Sequence, residues 1–154
     1  MSKEKLLKYA WESELMNIAI SYGEELFTFN LNSEVLVDEN RINKEIQEQP
    51  SAYAFLGMLH KKLIRKAQDK KREMEKAYAN MFIKFKKEID TTTGRPTAND
   101  LVKEKVISSK RYIDAEEEYY DALHESDIIE VCVRAFEQRQ ALIQTLSANI
   151  RKTN

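Results

Sequence analysis

Apolar residues in two long segments recur every three or four positions, the spacing of one face of an α-helix. The first segment, residues 51–89, contains no proline and one glycine, Gly57. The second, residues 110–151, contains neither glycine nor proline. The two apolar stripes comprise Tyr53, Leu56, His60, Leu63, Ala67, Met74, Ala77, Met81 and Phe85, interrupted by Lys70, and then Tyr112, Ala115, Tyr119, Ala122, Ile129, Val133, Phe136, Ile143 and Ile150. We predict two long helices packed as an antiparallel, coiled-coil-like hairpin.

The segment between the two long helices, residues 90–109, is predicted to be a connector. A run of three threonines followed by Gly94-Arg95-Pro96 is the strongest break in the chain. A short helix over residues 98–107 is expected to follow it. Thr97 and Asp100 have the spacing of a capping box at its start.

The first 50 residues are predicted to form a smaller, mainly helical segment. A helix over residues 3–22 is expected to end at Gly23, and residues 27–38 are rich enough in β-branched and aromatic side chains for a short strand or extended connector. A second short helix over residues 39–48 should end before Pro50, because the residue preceding a proline disfavours helical geometry. The expected fold is therefore all-α, with an N-terminal segment (residues 1–50) and the hairpin (residues 51–154) together forming one domain.

Composition narrows the class of protein further. The chain has 154 residues with only 3 glycines and 2 prolines, too few for the many turns of a β-sandwich or barrel. No apolar run reaches the roughly 18 residues that span a membrane, and the N-terminus lacks the apolar core of a secretory signal. Cys132 is the single cysteine, which excludes an internal disulfide and a cysteine-based metal cage. We expect a metal-free protein in the cytoplasm.

Charge is segregated along the chain although the formal net charge is only −1. Residues 61–87 carry 11 basic and 3 acidic side chains, whereas residues 112–130 carry 8 acidic and no basic ones. In an antiparallel hairpin the two blocks could lie side by side and neutralise each other, which would fix the register of the helices. Adjacent basic residues, however, point about 100° apart on a helix, so one acidic partner helix cannot reach all of them.

Basic side chains left over from such pairing are candidates for binding nucleic acid. They neutralise phosphates, and nearby aromatic rings such as Phe82 and Phe85 can stack on bases, although rings at this spacing belong more often to the core. The candidate binding residues are Lys61, Lys62, Arg65, Lys66, Lys70, Lys71, Arg72, Lys84, Lys86, Lys87 and Arg95.

Residue patterns typical of enzymes are missing from the sequence. The two histidines, His60 and His124, lie on different predicted helices without cysteines or carboxylates at metal-ligand spacing. The carboxylates of residues 116–118 are more typical of a solvated or salt-bridged face than of an acid–base pair. There is no phosphate-binding glycine loop. We therefore expect a protein that is not an enzyme and uses no cofactor.

The order of these features from Glu34 to the C-terminus resembles the phage recombination mediator proteins of the UvsY type. Val35-Leu36-Val37-Asp38 precedes a short helix, and Pro50-Ser51-Ala52-Tyr53 opens a lysine-rich long helix. Gly94-Arg95-Pro96-Thr97 then begins the second half, and Ala135-Phe136-Glu137-Gln138-Arg139 lies near its end. The position that carries a basic pair late in the first long helix of the family falls here on the uncharged residues 79–81.

The resemblance implies a small helical homo-oligomer that binds single-stranded DNA. It also implies that the protein helps a RecA-like recombinase to displace single-strand-binding protein. Apolar residues outside the predicted seam would serve subunit packing, namely Leu59, Ile64, Tyr78, Ile128 and Leu142.

The alternative hypothesis is a structural or adaptor coiled coil that binds another protein and no nucleic acid. In that case the basic and acidic blocks would pair with each other. The number of solvent-facing cations in residues 61–87 distinguishes the two hypotheses.

Overall fold

The structure, a computed structural model, describes residues 2–89 and 94–153. Over these residues the chain forms five α-helices and one two-stranded antiparallel sheet. In chain order these are α1 (Lys3–Glu12), β1 (Asn17–Tyr22), β2 (Glu25–Asn30), α2 (Leu31–Val35), α3 (Ile42–Lys86), α4 (Asn99–Ile107) and α5 (Lys110–Thr153), with short 3-10 helices at Glu14–Met16 and Glu39–Arg41. The predicted predominantly helical fold with two long helices is confirmed.

The chain divides into two compact units, and α3 and α5 each contribute to both. Unit 1 comprises Met1–Lys61 and Asp127–Asn154, and unit 2 comprises Lys62–Ser126. The expected division into residues 1–50 and 51–154 remains a prediction.

In unit 2 the α3 and α5 segments run antiparallel. Lys66 lies beside Glu125, Lys70 beside Glu118, and Tyr78 beside Tyr112, so the α3 number rises as the α5 number falls. Leu63, Ala67, Ala77 and Ala122 are buried, as the apolar stripes predict, together with Val102 and Val106 of α4. The predicted seam therefore forms the core of this unit, and the connector helix α4 adds to it.

Unit 1 contains the same antiparallel arrangement together with the sheet. Its core includes four residues predicted from the stripes, Leu56, Ile129, Phe136 and Ile143, and four that lay outside them, Ile20, Leu31, Leu59 and Cys132. Burial raises the pKa of the Cys132 thiol to about 11. Leu59 is buried within the chain and is therefore not available for the subunit packing suggested for it.

The predicted helix over residues 3–22 is wrong beyond Glu12, where α1 ends. Residues 17–22 instead form β1, because their pattern there has a period of two, with Ile20 only 1% exposed. Gly23 has a φ of 64° and starts the two-residue turn that joins β1 to β2. A glycine at the first turn position is typical of hairpins, so Gly23 closes a sheet and does not end a helix.

Pro50 was predicted to follow the end of a short helix, and this prediction is wrong. It is inside α3, which begins at Ile42, so residues 42–48 belong to the long helix. The missing N–H of a proline removes one helical hydrogen bond, the one that the Ile46 carbonyl would have accepted. Gln49 is buried and its amide donates to the Phe136 carbonyl of α5 at 2.8 Å. These contacts with α5 compensate the local cost of the proline.

Thr97 holds the two ends of the connector together and does not form the expected capping box with Asp100. The Thr97 amide and hydroxyl both donate to the Glu88 carbonyl, at 3.2 and 2.9 Å, so the hydroxyl is occupied away from the helix. The N-cap of α4 is Ala98, which has no side-chain cap. The threonine run of the predicted break, residues 91–93, lies outside the described residues.

Candidate nucleic-acid interface

Two basic residues of α3 pair with the acidic helix in unit 2. The Lys66 ammonium lies 2.6 Å from a Glu125 carboxylate oxygen, and Lys70 lies 2.7 Å from Glu118 and 2.9 Å from Glu73. Hydrogen bonds to Glu118 and then to Glu73 raise the pKa of Lys70 to about 12. Both lysines sit beside the buried seam, so part of the basic block is used to hold the two helices together.

A second group of cations on α3 is exposed and forms no ion pair with the described residues of α5. Arg65, Arg72 and Lys76 are spaced by seven and four residues, close to whole helical turns, which places them on one face. The buried residues Leu63 and Ala77 lie on the other side of the helix. We call Arg65, Arg72 and Lys76, together with the neighbouring Lys71, which points about 100° from Arg72, the basic face, and all four are exposed.

The basic face is largely free of ion pairs. Within the described ranges, Arg65, Lys71 and Lys76 have no carboxylate partner, whereas Arg72 lies 3.0 Å from Asp69 of the same helix. Both members of that pair are more than half exposed, so their attraction is weak in water. In unit 1, Lys61 is likewise exposed and has no ion pair with any described residue.

The remaining candidate cations have mixed roles. Lys86 donates to the Thr97 carbonyl at 2.9 Å and therefore stabilises the connector. The Lys84 ammonium lies 5.9 Å from the centre of the Phe85 ring, and Lys105 of α4 lies at the same distance from that ring. Lys87 is exposed, while Lys62 and Arg95 are exposed and each interact with another group of the chain.

The aromatic residues near the basic block pack mainly within unit 2. The Phe82 ring stacks on Tyr78 at a centroid distance of 6.2 Å, and Tyr78 meets Tyr112 edge-on at 5.8 Å. Phe82 and Phe85 are both half-buried. This arrangement favours a packing role for these rings over base stacking.

An acidic counterpart to the basic face lies on α5 of the same unit. Asp114, Glu117 and Asp121 are spaced by three and four residues and are exposed. They have no ion pair with the part of the chain that the structure describes. We call these three residues the acidic face. The mutual neutralisation of the two blocks is therefore partial on both helices.

A buried polar cluster in unit 1 was not predicted from the sequence. The Arg139 guanidinium contacts the Glu45 carboxylate and the Gln49 side-chain oxygen, and it donates to the Leu36 carbonyl at 3.1 Å. Its side chain is only 9% exposed, against 15% for Glu45. This pairing could not be predicted from the spacing of residues along the sequence, because Arg139 and Glu45 are 94 residues apart.

Residues that carry the resemblance meet around this cluster. Leu36 and Arg139 come from the first and last of the motifs, and the Tyr53 hydroxyl donates to Glu137 at 2.8 Å, which raises the pKa of Tyr53. These motif residues therefore hold α3, α5 and the segment before α3 together in unit 1. Their contacts support the fold, and the candidate DNA-binding cations of the basic face lie elsewhere in the sequence.

The described ranges contain neither a candidate metal site nor a candidate membrane-spanning helix. No group of three or more histidine, cysteine or carboxylate side chains is placed to hold a metal ion there. None of the helices found there has both the length and the apolar character needed to cross a membrane.

Comparison of the chain with protein-family models, with curated proteins and with solved structures gives no match. The resemblance to recombination mediators therefore rests on the order of residues alone.

Proposed function

We propose that the chain is a non-enzymatic, single-stranded-DNA-binding recombination mediator that helps to load a RecA-like recombinase in place of single-strand-binding protein. The observation that carries this proposal is the basic face of α3. Arg65, Lys71 and Lys76 are exposed and have no described carboxylate partner. Pairing with α5 takes up Lys66 and Lys70, which leaves these cations available.

The chemistry of the basic face suits a phosphate backbone. Arginine and lysine neutralise phosphates without reading base sequence, and the released counterions make such binding strongly salt-dependent. A mediator needs binding of this kind, because it must act on whatever sequence is single-stranded. The half-buried aromatic rings make base stacking a minor contribution.

The acidic face is a candidate surface for binding a protein partner. Asp114, Glu117 and Asp121 would repel DNA, so they are suited to contact a recombinase or a single-strand-binding protein through basic groups. Homo-oligomerisation would align several basic faces along one strand and increase the overall affinity. Both roles are parts of the proposal.

The test is a titration of a fluorescently labelled single-stranded oligonucleotide, followed by anisotropy at several salt concentrations. The triple variant Arg65→Glu/Lys71→Glu/Lys76→Glu should lose at least about tenfold in affinity, because three phosphate contacts become repulsions. Lys66 is left intact, since reversing it would break the pair with Glu125 and disturb the helix packing.

The matched control is Arg41→Glu/Lys44→Glu/Lys103→Glu, which makes the same change in net charge at exposed positions away from the basic face and from α1. It should bind with nearly the wild-type affinity, and circular dichroism should show unchanged helicity for both variants. Equal losses in the two variants would point to a general charge effect. Absence of wild-type binding at low salt would favour the adaptor hypothesis, in which the chain binds another protein.

A further inference from the structure

Helix α1 presents an apolar face that the rest of the described chain does not cover. Leu6 and Ala10, and beside them Leu7 and Trp11, are spaced by four residues and lie on one side of the helix. Leu6, Leu7 and Trp11 are each about half exposed, and no residue of α1 is buried by the described chain.

A helix of this length needs a docking surface to be stable. Helices shorter than about 12–15 residues are marginal in water on their own, and α1 has 10 residues. Ser2 caps its start, and the Asn32 side chain donates to the Ala10 carbonyl at 2.6 Å. These polar contacts fix the ends of α1 but leave its apolar face without a partner.

Unit 1 also contains an open apolar groove of about 290 Å³. Phe27 of β2 and Phe55 of α3, whose ring centres are 5.5 Å apart, line it together with Ala52 and Phe136. Phe55 is 48% exposed, and no residue of α1 is among those that line the groove. The groove is of a size to take one large side chain and the edge of a helix.

Charge favours α1 as the occupant of this groove. Helix α1 carries three lysines and two glutamates, whereas residues 13–49 carry eight acidic and two basic side chains. Glu34 places one of these carboxylates in the groove wall. A lysine-bearing helix with an apolar face complements an apolar groove in an acidic surface. The same acidic surface disfavours an anionic lipid membrane as the partner.

We propose that α1 docks into the Phe27–Phe55 groove of a second copy of the chain. Each copy has both the helix and the groove, so the exchange is reciprocal and closes a two-fold dimer. The contact buries Leu6, Leu7 and Trp11 against aromatic rings, and it brings the lysines of α1 near Glu34 of the other copy. This docking rests on the self-association included in the proposed function and supplies a surface for it. Because its test contains no DNA, failure of the dimer can be distinguished from failure of DNA binding.

Trp11 is the single tryptophan of the chain and reports directly on this contact. Sedimentation velocity and tryptophan emission are measured over a range of protein concentrations, with iodide quenching of Trp11 at each. The wild-type protein should dimerise, and its emission should shift to shorter wavelength and become less quenchable over the same concentration range.

Two variants test the two sides of the contact, each with a matched control. Leu7→Lys in α1 and Phe55→Lys in the groove should each weaken the dimer about a hundredfold or more, because the two-fold dimer loses one large apolar side chain, worth about tenfold or more, from each of its two contacts. Tyr9→Lys, on the opposite side of α1, and Met58→Lys, one turn beyond Phe55, change residues that are 64% and 66% exposed and should dimerise like the wild type.

A mixture of the two weakened variants sharpens the test. Leu7→Lys retains an intact groove and Phe55→Lys retains an intact α1, so the mixture should form heterodimers through one contact and protect the Trp11 of the Phe55→Lys chain. Three results would overturn the proposal: a wild-type monomer with quenchable Trp11, protection of Trp11 that does not depend on concentration, or dimers that neither variant weakens. The second of these would place α1 in the groove of its own chain.

Discussion

Arg139 shows how one buried charge can hold distant parts of a chain in place. Its guanidinium joins Glu45 and Gln49 of α3 to the Leu36 carbonyl, and these partners come from sequence positions about 90 to 103 residues away. A buried guanidinium is favourable only while its partners are present, and the Glu45 carboxylate depends on it in turn. The cluster therefore specifies how α5 packs on α3 in unit 1.

Arg139→Ala should lower the free energy of unfolding by about 3–5 kcal/mol, because it leaves the Glu45 carboxylate buried without its cation. Denaturant unfolding followed by circular dichroism measures the change. The control Arg134→Ala removes a 69% exposed arginine that pairs with Glu130 on the same helix, and it should cost at most about 1 kcal/mol.

A double variant separates the charge from the packing. Arg139→Met/Glu45→Leu removes both ions together and should recover a large part of the stability lost in Arg139→Ala. If the double variant is as unstable as the single one, the value of Arg139 lies in its contacts with Gln49 and the Leu36 carbonyl.

At the scale of the elements, two glycines have different backbone conformations, so substitution by alanine is expected to change stability in opposite directions. Gly57 lies within α3, and a Cβ built there meets nothing within 4 Å. Gly23 also has open space around it, but its φ of 64° lies in the region that L-residues avoid.

Gly57→Ala should therefore raise the free energy of unfolding by about 0.5–1 kcal/mol, since alanine loses less backbone entropy in a helix. Gly23→Ala should lower it by about 1–2 kcal/mol, because the added Cβ opposes the left-handed turn. Thermal or denaturant unfolding of both variants provides the comparison. A loss of stability in Gly57→Ala would indicate that α3 does not continue as a regular helix through residue 57.

The same elements show what could be predicted from the sequence. The two long helices follow from their periodic apolar stripes, and most stripe residues are buried or half-buried, such as Leu63, Ala77 and Ile129. Strand β1 is not predicted, because it is only six residues long and its alternation is hidden in a mixed helical pattern. The strand or extended connector predicted over residues 27–38 is correct in part, since β2 ends at Asn30 and α2 follows it. Pro50 was misjudged because the contacts of Gln49 with α5 are tertiary, and local rules cannot include them.

The candidate site was predictable only in part, for a similar reason. The sequence identifies the cationic block, but which lysines pair depends on the rotation of α3 against α5. Lys66 and Lys70 pair with the acidic helix, whereas Arg65 and Lys76 are exposed and have no carboxylate partner in the described ranges. The neighbouring carboxylates of residues 116–118 likewise have different roles. Glu118 pairs with Lys70, whereas Glu117 is exposed.

At the scale of the whole molecule, a net charge of −1 conceals a basic face and an acidic face on unit 2. Two effects of charge on DNA binding can therefore be separated. Direct phosphate contacts release counterions and set the slope of affinity against salt, with about 0.7 of a log unit per contact for single strands. Distant charges change the field felt by the DNA, an effect that salt screens.

Neutral variants of each face separate these effects. Arg65→Gln/Lys71→Gln/Lys76→Gln should make the log–log salt slope shallower by about two units, because about three phosphate contacts are lost. Asp114→Asn/Glu117→Gln/Asp121→Asn should increase affinity a few-fold at low salt and hardly at all at high salt, where the field is screened, so it should steepen the slope by much less than two units. Anisotropy titrations over a series of salt concentrations measure both quantities. If the basic-face variant loses affinity while its slope changes by no more than that of the acidic-face variant, these cations act only at a distance, and the phosphates bind at another surface.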